Sequence, residues 1–251
     1  MASDPIHQFE IHKLFTLGSI GGHEIAFTNS SAYMFAAVGV VSLLMIGGSA
    51  GKQLIPSRFQ SVAELSYEFV ADMLRSAAGE HGMKFFPLVF TLFMFIATAN
   101  LIGIIPYTFT VTSHLIVTVC MALLVFATMT IYGFYRHGLK FLKLFVPHGI
   151  PIYILPLVVF IEVLSYFLKP VSHSVRLFAN MLAGHIALKV FAGFVTMLGA
   201  FGFVGWIGAI LPLGLTVALT ALELLVAFLQ AYVFAILTCI YLNDAIHGGA
   251  H

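Results

Sequence analysis

The segment from Glu162 to Val190, EVLSYFLKPVSHSVRLFANMLAGHIALKV, sets Glu162, Lys169, His173, Arg176, Asn180, His185 and Lys189 in an otherwise apolar run. A second apolar run, 209–242, holds a single charge, Glu223. A charged side chain at the centre of a bilayer costs about 3 kcal/mol on insertion scales, and about 10 or more by simulation. Such groups persist where they face protein or water and serve a function. Arginine keeps its proton under cellular conditions. Arg176 is therefore a fixed positive charge near groups that titrate. That combination suits an ion path that must carry protons without letting them run straight through.

Helical spacing sorts these residues into two directions. Ser172, Arg176 and Asn180 fall at i, i+4 and i+8 and share a face. Glu162 lies about four turns before Arg176 and within roughly 40° of that face. His185, nine residues after Arg176, points close to the opposite side. Glu223 and Gln230 are seven apart and share a face of the second run. One direction is the Arg176 stripe; the other holds His185, with Glu223 as a partner across the helix pair. Plainer roles stand beside these. Lys169 and Lys189 could snorkel. His173 could be a satisfied interfacial histidine. Ser172 and Asn180 could be polar glue between helices. Arg176 could be a structural ion-pair partner of Glu162 or Glu223. Glu223 is too central to snorkel, which favours function for it.

Composition decides the class of protein. Of 251 residues, 61% are hydrophobic and 8% charged, whereas a soluble domain carries about 25% charged residues. Such a chain cannot cover itself with polar surface, so an all-α integral membrane protein is expected. A net charge of +1 argues against a nucleic-acid partner. The start, MASDPIHQFEIHK, has no basic region followed by an apolar run, so no cleavable signal peptide is expected. Cys120 and Cys239 sit in apolar runs and are expected to be reduced and buried, without a disulfide between them. There is no CxxC, HExxH, Walker or Rossmann signature. No cofactor, nucleotide or metal is expected on this chain.

The elements that must position these residues form one membrane domain. Residues 1–30 are a polar leader containing Asp4, His7, Glu10, His12, His23 and Glu24. Residues 31–50 are uncharged and long enough to cross a hydrocarbon core of about 30 Å. Over 55–80, Glu64, Glu68, Asp72 and Arg75 recur at helical spacing opposite Phe59, Val62, Leu65, Phe69 and Leu74. That pattern predicts an amphipathic helix on the membrane surface. Residues 85–136 read as a helical hairpin: a span at 85–105 with Asn100 near its end, a polar loop around Pro106, Thr108, Thr110, Thr112, Ser113 and His114, and a span at 115–135. Pro147, Gly149, Pro151 and Pro156 mark a broken re-entry. From 150 to 242 two runs too long to stand upright predict long, tilted helices, joined by a Gly-rich turn at 196–208 that holds Trp206 as an interface anchor. The end, NDAIHGGAH, is polar.

Basic residues give the orientation. Lys52, Arg58, Arg75 and Lys84 flank one surface, and Arg136, Lys140 and Lys143 return to it after two crossings. The loops at 106–114 and 196–208 carry no Lys or Arg. The positive-inside rule then places the N-terminus outside and, after five crossings, the C-terminus inside.

The segments KPVSHSVRLFANMLAGH and LQAYVFAILTCIYL, with DPIHQFEI near the start, resemble the subunit a family of F-type ATP synthases over nearly the whole chain. The resemblance implies a stator subunit of a proton-driven rotary motor, its last two helices strongly tilted against a ring of c-subunits. By this resemblance Arg176 is the essential charge barrier and the partner of the c-ring carboxylates, and Asn180 and Gln230 flank it. Glu162 belongs to the cytoplasmic-side half-channel, and His185 with Glu223 to the outer one. Many bacterial relatives carry acid then histidine in that pair; this chain has His then Glu. The further path residues expected are Asn100, Ser172 and His173. The implied partners are the c-ring, the peripheral-stalk b subunits, the remainder of the complex and the lipid bilayer. ATP chemistry is expected on other subunits, in a complex of a bacterial plasma membrane. A stand-alone secondary transporter or channel is the alternative, but no inverted internal repeat is seen. A purely structural anchor would not need Arg176, Glu223 and Gln230.

Overall fold

The computed structural model describes residues 11–20, 23–50, 57–105, 108–146, 151 and 153–247. Asp4, His7, Glu10, Lys52, Pro106, Pro147, Gly149 and His251 lie outside the described residues. The chain is mainly helical: α1 Asn29–Ala50, α2 Arg58–Gly82, α3 Phe86–Ile104, α4 Leu115–His137, α5 Leu155–Gly199 and α6 Phe203–His247. Among the described residues, five stretches are long and apolar enough to cross a membrane. They hold the expected all-α membrane architecture with its five spans. Two compact units are built from interleaved pieces of the chain: unit 1 from Met1–Leu43, Phe95–His114 and Leu177–Ala231, unit 2 from Leu44–Met94, Leu115–Arg176 and Tyr232–His251.

In unit 1 the leader is not wholly irregular. Strands β1 (Lys13–Ile20) and β2 (His23–Thr28) pair antiparallel, with Phe15 opposite Phe27. Their rings stack at 4.9 Å, and Phe27 stacks in turn on Phe35 of α1 at 5.9 Å. Thr28 caps α1, its hydroxyl accepting from the Ser31 N–H at 3.3 Å, which satisfies one of the orphan donors of a helix start. The link between α5 and α6 is far shorter than the turn expected at 196–208. Helix α5 runs to Gly199 and α6 starts at Phe203. Gly202 turns the chain at φ 77°, a conformation open to glycine without strain. Trp206 therefore sits within α6 and is exposed. Glycine breaks helices in water because solvent competes for the backbone; in an apolar setting nothing else satisfies the backbone, and the helix continues.

Unit 2 has a core of Val70, Leu74, Val89, Val125, Met129, Leu242 and Ile246. The Phe141 ring lies on Gly133 of α4, leaving no room for a Cβ. Phe126 and Tyr166 meet at 5.0 Å. Ser57 caps α2 by accepting from the Gln60 N–H, and Gly79, at φ 65°, breaks the helix near its end. Helix α2 has three faces rather than two. Val70, Ala71, Leu74 and Ala78 are buried; Glu64, Glu68, Asp72 and Arg75 are exposed; Phe59, Val62, Leu65 and Phe69 form a separate exposed apolar stripe. Leu74, expected on that stripe, belongs to the buried face instead. A helix bordering protein, water and lipid requires those three faces. Helix α6 continues through Asn243 and Asp244 to His247, past the expected end at 242.

Candidate functional site

Helices α5 and α6 gather polar side chains within each unit. In unit 1 the centre is His185, packed against Glu223; both are more than nine-tenths buried. His185 Nδ1 lies 3.3 Å from Glu223 Oε1, and its Nε2 lies 3.0 Å from the Thr110 hydroxyl. Neither Glu223 oxygen has an aligned hydrogen-bond donor among the described residues. A structural strut would be pinned by donors. The buried carboxyl and the imidazole are thus two titratable groups in direct contact, with no aligned donor on the carboxyl among the described residues.

The loop between α3 and α4 supports the pair. Thr112 donates to Asn100 Oδ1 at 2.7 Å, and the Asn100 amide donates to the Ala227 carbonyl at 3.2 Å. Asn100 thus grips α6 one turn beyond Glu223, and no hydrogen bond joins it to His185 or Glu223 among the described residues. Ser113 donates to the Thr110 carbonyl at 2.7 Å, closing a short helical turn at Val111–Ser113. His114 follows, stacked on Phe109 at 4.8 Å, and burial holds its imidazole below the usual value of 6.5. Lower on α5 the Asn180 amide donates to Gln230 Oε1 at 3.3 Å, joining the two flanking residues.

The approach of Glu223 depends on Gly184. A Cβ at position 184 would meet Glu223 Oε1 at 2.9 Å, closer than a carbon can stand without displacing it. Gly184→Val is therefore expected to push the carboxyl off His185 and slow proton-driven turnover by about 100-fold, the lower end of what losing one proton-transfer group costs. ATP synthesis rates in membrane vesicles, normalised to assembled complex on native gels, measure this. A wild-type rate would mean that the observed packing is not needed for transfer.

The group in unit 2 differs in character. Lys169 Nζ forms a 3.0 Å ion pair with Asp244 Oδ2 and lies over the Tyr241 ring at 5.0 Å. It does not snorkel outward as its position allowed; it is tied to α6. Tyr166, one turn before Pro170, shares a 2.8 Å hydrogen bond with Thr130 of α4. Pro170 interrupts the α5 hydrogen-bond ladder, since it has no N–H to offer the Tyr166 carbonyl. His173 is buried against Phe234, ring centroids 3.8 Å apart, and its Nε2 has no hydrogen bond among the described residues. It lines a small cleft with Lys169, Tyr241 and Met129.

Glu162, Ser172, Arg176 and Asn180 are exposed. On α5 the exposed residues around the arginine are Ser172, Val175, Ala179, Asn180 and Ala183, and helical spacing puts them on one face. Ser172, Ala179 and Ala183 are small; Val175 and Asn180 are larger. Arg176 stands near the middle of a 45-residue helix, and among the described residues no carboxylate forms an ion pair with it. Neither Glu162 nor Glu223, the two intrachain partners weighed for it, fills that role.

Sequence reasoning did not single out Thr110, Asp244 or Tyr241. Thr110 is one of five polar residues in a loop, 75 positions from His185, and no local pattern marks it. Asp244 was assigned to a polar tail. The signal that could have exposed it is its place two turns after Leu237 and Thr238 on a helix that never terminates before His247.

Residues 31–243 match the family described as ATP synthase A chain. ATP synthase subunit a of Rhodopseudomonas palustris strain BisB5 is 80% identical over 249 residues, 99% of this chain and 100% of that protein. The subunit a of Bradyrhizobium diazoefficiens is 72% identical over 250 residues, 99% and 100% of the two chains. That of Afipia carboxidovorans is 70% identical over 247 residues, 98% and 99% of the two chains.

Proposed function

The chain belongs to the ATP synthase A chain family, and from this premise, which makes it an integral membrane stator component of an F-type ATP synthase, we propose that it provides two offset half-channels that load and unload protons on the carboxyls of a c-ring. One observation carries the reading: Arg176, a permanent charge in the middle of an apolar helix, is exposed on a face that also carries Ser172, Ala179 and Ala183, and among the described residues no carboxylate is paired to it. An unpaired guanidinium in hydrocarbon costs several kcal/mol. A stripe of small residues allows another helix to approach closely. A carboxyl presented by such a helix would complete the site.

A proton enters from outside by way of His185 and Glu223, with Asn100 holding the loop and α6 in place. It neutralises a ring carboxylate, which can then turn into lipid without the cost of an unpaired charge. After nearly a full turn the carboxyl reaches the inner side, near Glu162, Ser172 and His173. Arg176 favours the ionised form there, and the proton leaves. Asn180 and Gln230, bonded to each other, flank the arginine. Arg176 also separates the two paths as a charge that no proton can cross cheaply. A potential of 100 mV supplies about 2.3 kcal/mol per proton, so several protons serve each ATP. The chain itself is non-catalytic and holds no nucleotide. It sits in a bacterial plasma membrane, N-terminus outside and C-terminus cytoplasmic, against the c-ring and the b subunits of the peripheral stalk.

The test is isolation of the complex through an affinity tag on this chain. A c-ring and stalk subunits are expected to co-purify in fixed ratio, with proton-driven ATP synthesis recovered after reconstitution. A chain that purifies alone and conducts ions in vesicles would instead be a stand-alone transporter.

A further inference from the structure

Helix α5 has a weak turn close to Arg176, and the side chains on that turn are tied to two other helices. Pro170 offers no N–H to the Tyr166 carbonyl, so the turn from 166 to 170 lacks one rung and resists bending less than its neighbours. Arg176 stands six residues beyond the proline. Before the gap, Tyr166 is buried and shares a 2.8 Å hydrogen bond with Thr130 of α4. Beside the proline, Lys169 forms a 3.0 Å ion pair with Asp244 of α6, and the two side chains are only 27% and 22% exposed. The ammonium also lies 5.8 Å from the centre of the Tyr166 ring and 5.0 Å from that of Tyr241, within the range where an aromatic face attracts a cation.

The acidic end of the pair is itself anchored. Leu242, Ala245 and Ile246, on either side of Asp244, are at most 1% exposed, so the last turns of α6 are packed helix rather than a trailing end. His137, at the end of α4, lies 3.0 Å from the Ile246 carbonyl. A carbonyl only accepts, so the ring donates to one of the oxygens that a helix end leaves without a partner. Lys169 and Arg176 are seven residues apart, about two turns, and their directions from the helix axis differ by about 20°. A rotation of α5 at Lys169 therefore turns Arg176 with it. The Tyr241 hydroxyl lies within electrostatic reach of both Asp244 and Arg176, so the tie and the arginine share a neighbour on α6.

We propose that Lys169 and Asp244 are positioning residues for Arg176: their ion pair fixes the rotation of α5 beyond its proline turn, and with it the direction in which the guanidinium is presented to a ring carboxyl. This rests on the reading of Arg176 as the partner of the c-ring. A moving ring pulls sideways on the arginine, and a helix short of one rung beside that residue needs a lateral tie to hold its direction. A partly buried ion pair suits the task. It is less screened by salt than a surface pair, and removing either partner strands the other charge.

The test uses the whole complex in membrane vesicles. Lys169→Met keeps the stem and removes the charge, and Asp244→Ala removes the acceptor. Each is expected to lower proton-driven ATP synthesis per assembled complex by about tenfold, the effect of a shift of a fraction of an ångström where about 1 Å can cost 100-fold. Passive proton leak rises in the same vesicles, and native gels still show assembled complex. Exchanging the pair, Lys169→Asp with Asp244→Lys, rebuilds the tie in reverse and recovers most of the rate, whereas Lys169→Asp alone does not. A wild-type rate per complex in both single variants overturns the proposal. So does a loss confined to the amount of assembled complex, which would make the pair a stability contact only, or an exchange variant that assembles yet stays as slow as the single ones. Arg176→Ala in the same vesicles separates the two levels. If it retains synthesis, the motor reading itself fails; if it abolishes synthesis while Lys169→Met and Asp244→Ala match wild type, only the role of the pair fails.

Discussion

Arg176→Ala is expected to abolish proton-driven ATP synthesis and to raise passive proton leak in the same vesicles. Two unit charges about 4 Å apart attract by about 4 kcal/mol at the effective dielectric of a protein surface. On the proposed motor reading, without that attraction a ring carboxyl no longer ionises on reaching the arginine, and release slows by about a thousandfold at 1.4 kcal/mol per factor of ten. The leak would follow from the second duty proposed for the residue. A fixed cation between two hydrated clefts repels protons electrostatically, and alanine does not. Synthesis and leak must be recorded on one preparation, because an unassembled complex also fails to synthesise ATP. Retained synthesis would make Arg176 a packing residue and would sink the motor reading of α5. Loss of synthesis without added leak would keep the carboxylate role and remove the sealing one.

The second large effect is at Glu223. Glu223→Gln is expected to slow proton-driven synthesis by about 100-fold, within the usual range for removing a proton-transfer group. Assembly should survive, since glutamine has nearly the same shape and fits the space left by Gly184. Native-gel quantification of the complex, with rates per assembled complex, separates the two effects. Wild-type rates would remove Glu223 from the path. Exchanging the pair, His185→Glu with Glu223→His, tests whether the two act together. The double variant should keep more activity than His185→Glu alone, because it retains one acid and one imidazole within contact distance. Equal losses would argue against a coupled pair.

Much of this architecture is legible from the residues. Charged groups in apolar runs are expensive enough that Arg176 and Glu223 stand out at once, and helical spacing assigns Asn180 to the arginine face and His185 to the other. The structure has Asn180 and Arg176 exposed and His185 buried, with His185 against Glu223. The partners of these residues were not legible. Thr110 reaches His185 only because the loop folds inward, and a hydroxyl among several carries no periodic mark. Asp244 was hidden by hydropathy averaging, which ends the helix where polar residues begin, although Lys169 gives that aspartate a reason to stay helical. The hairpin at Lys13–Ile20 and His23–Thr28 was lost in the same way. Its apolar residues alternate imperfectly and its pairing shifts register twice, so a polar average outweighed a weak strand pattern. The Gly-rich 196–208 stretch misled in the opposite direction, because a rule learned in water was applied to an apolar segment.

The three-residue link between Gly199 and Phe203 sets how the gene can change length. A residue added at the link leaves both helices in phase. One residue added within 186–198 turns His185 by about 100° relative to everything beyond it, and so out of register with Glu223. A gain of seven residues would bring the side chain back to within about 20°, but would carry it about 10 Å along the axis. Insertions and deletions are thus confined to the ends and links, and the helical stretches that flank the link, from His185 to Gly199 and from Phe203 to Glu223, evolve by substitution.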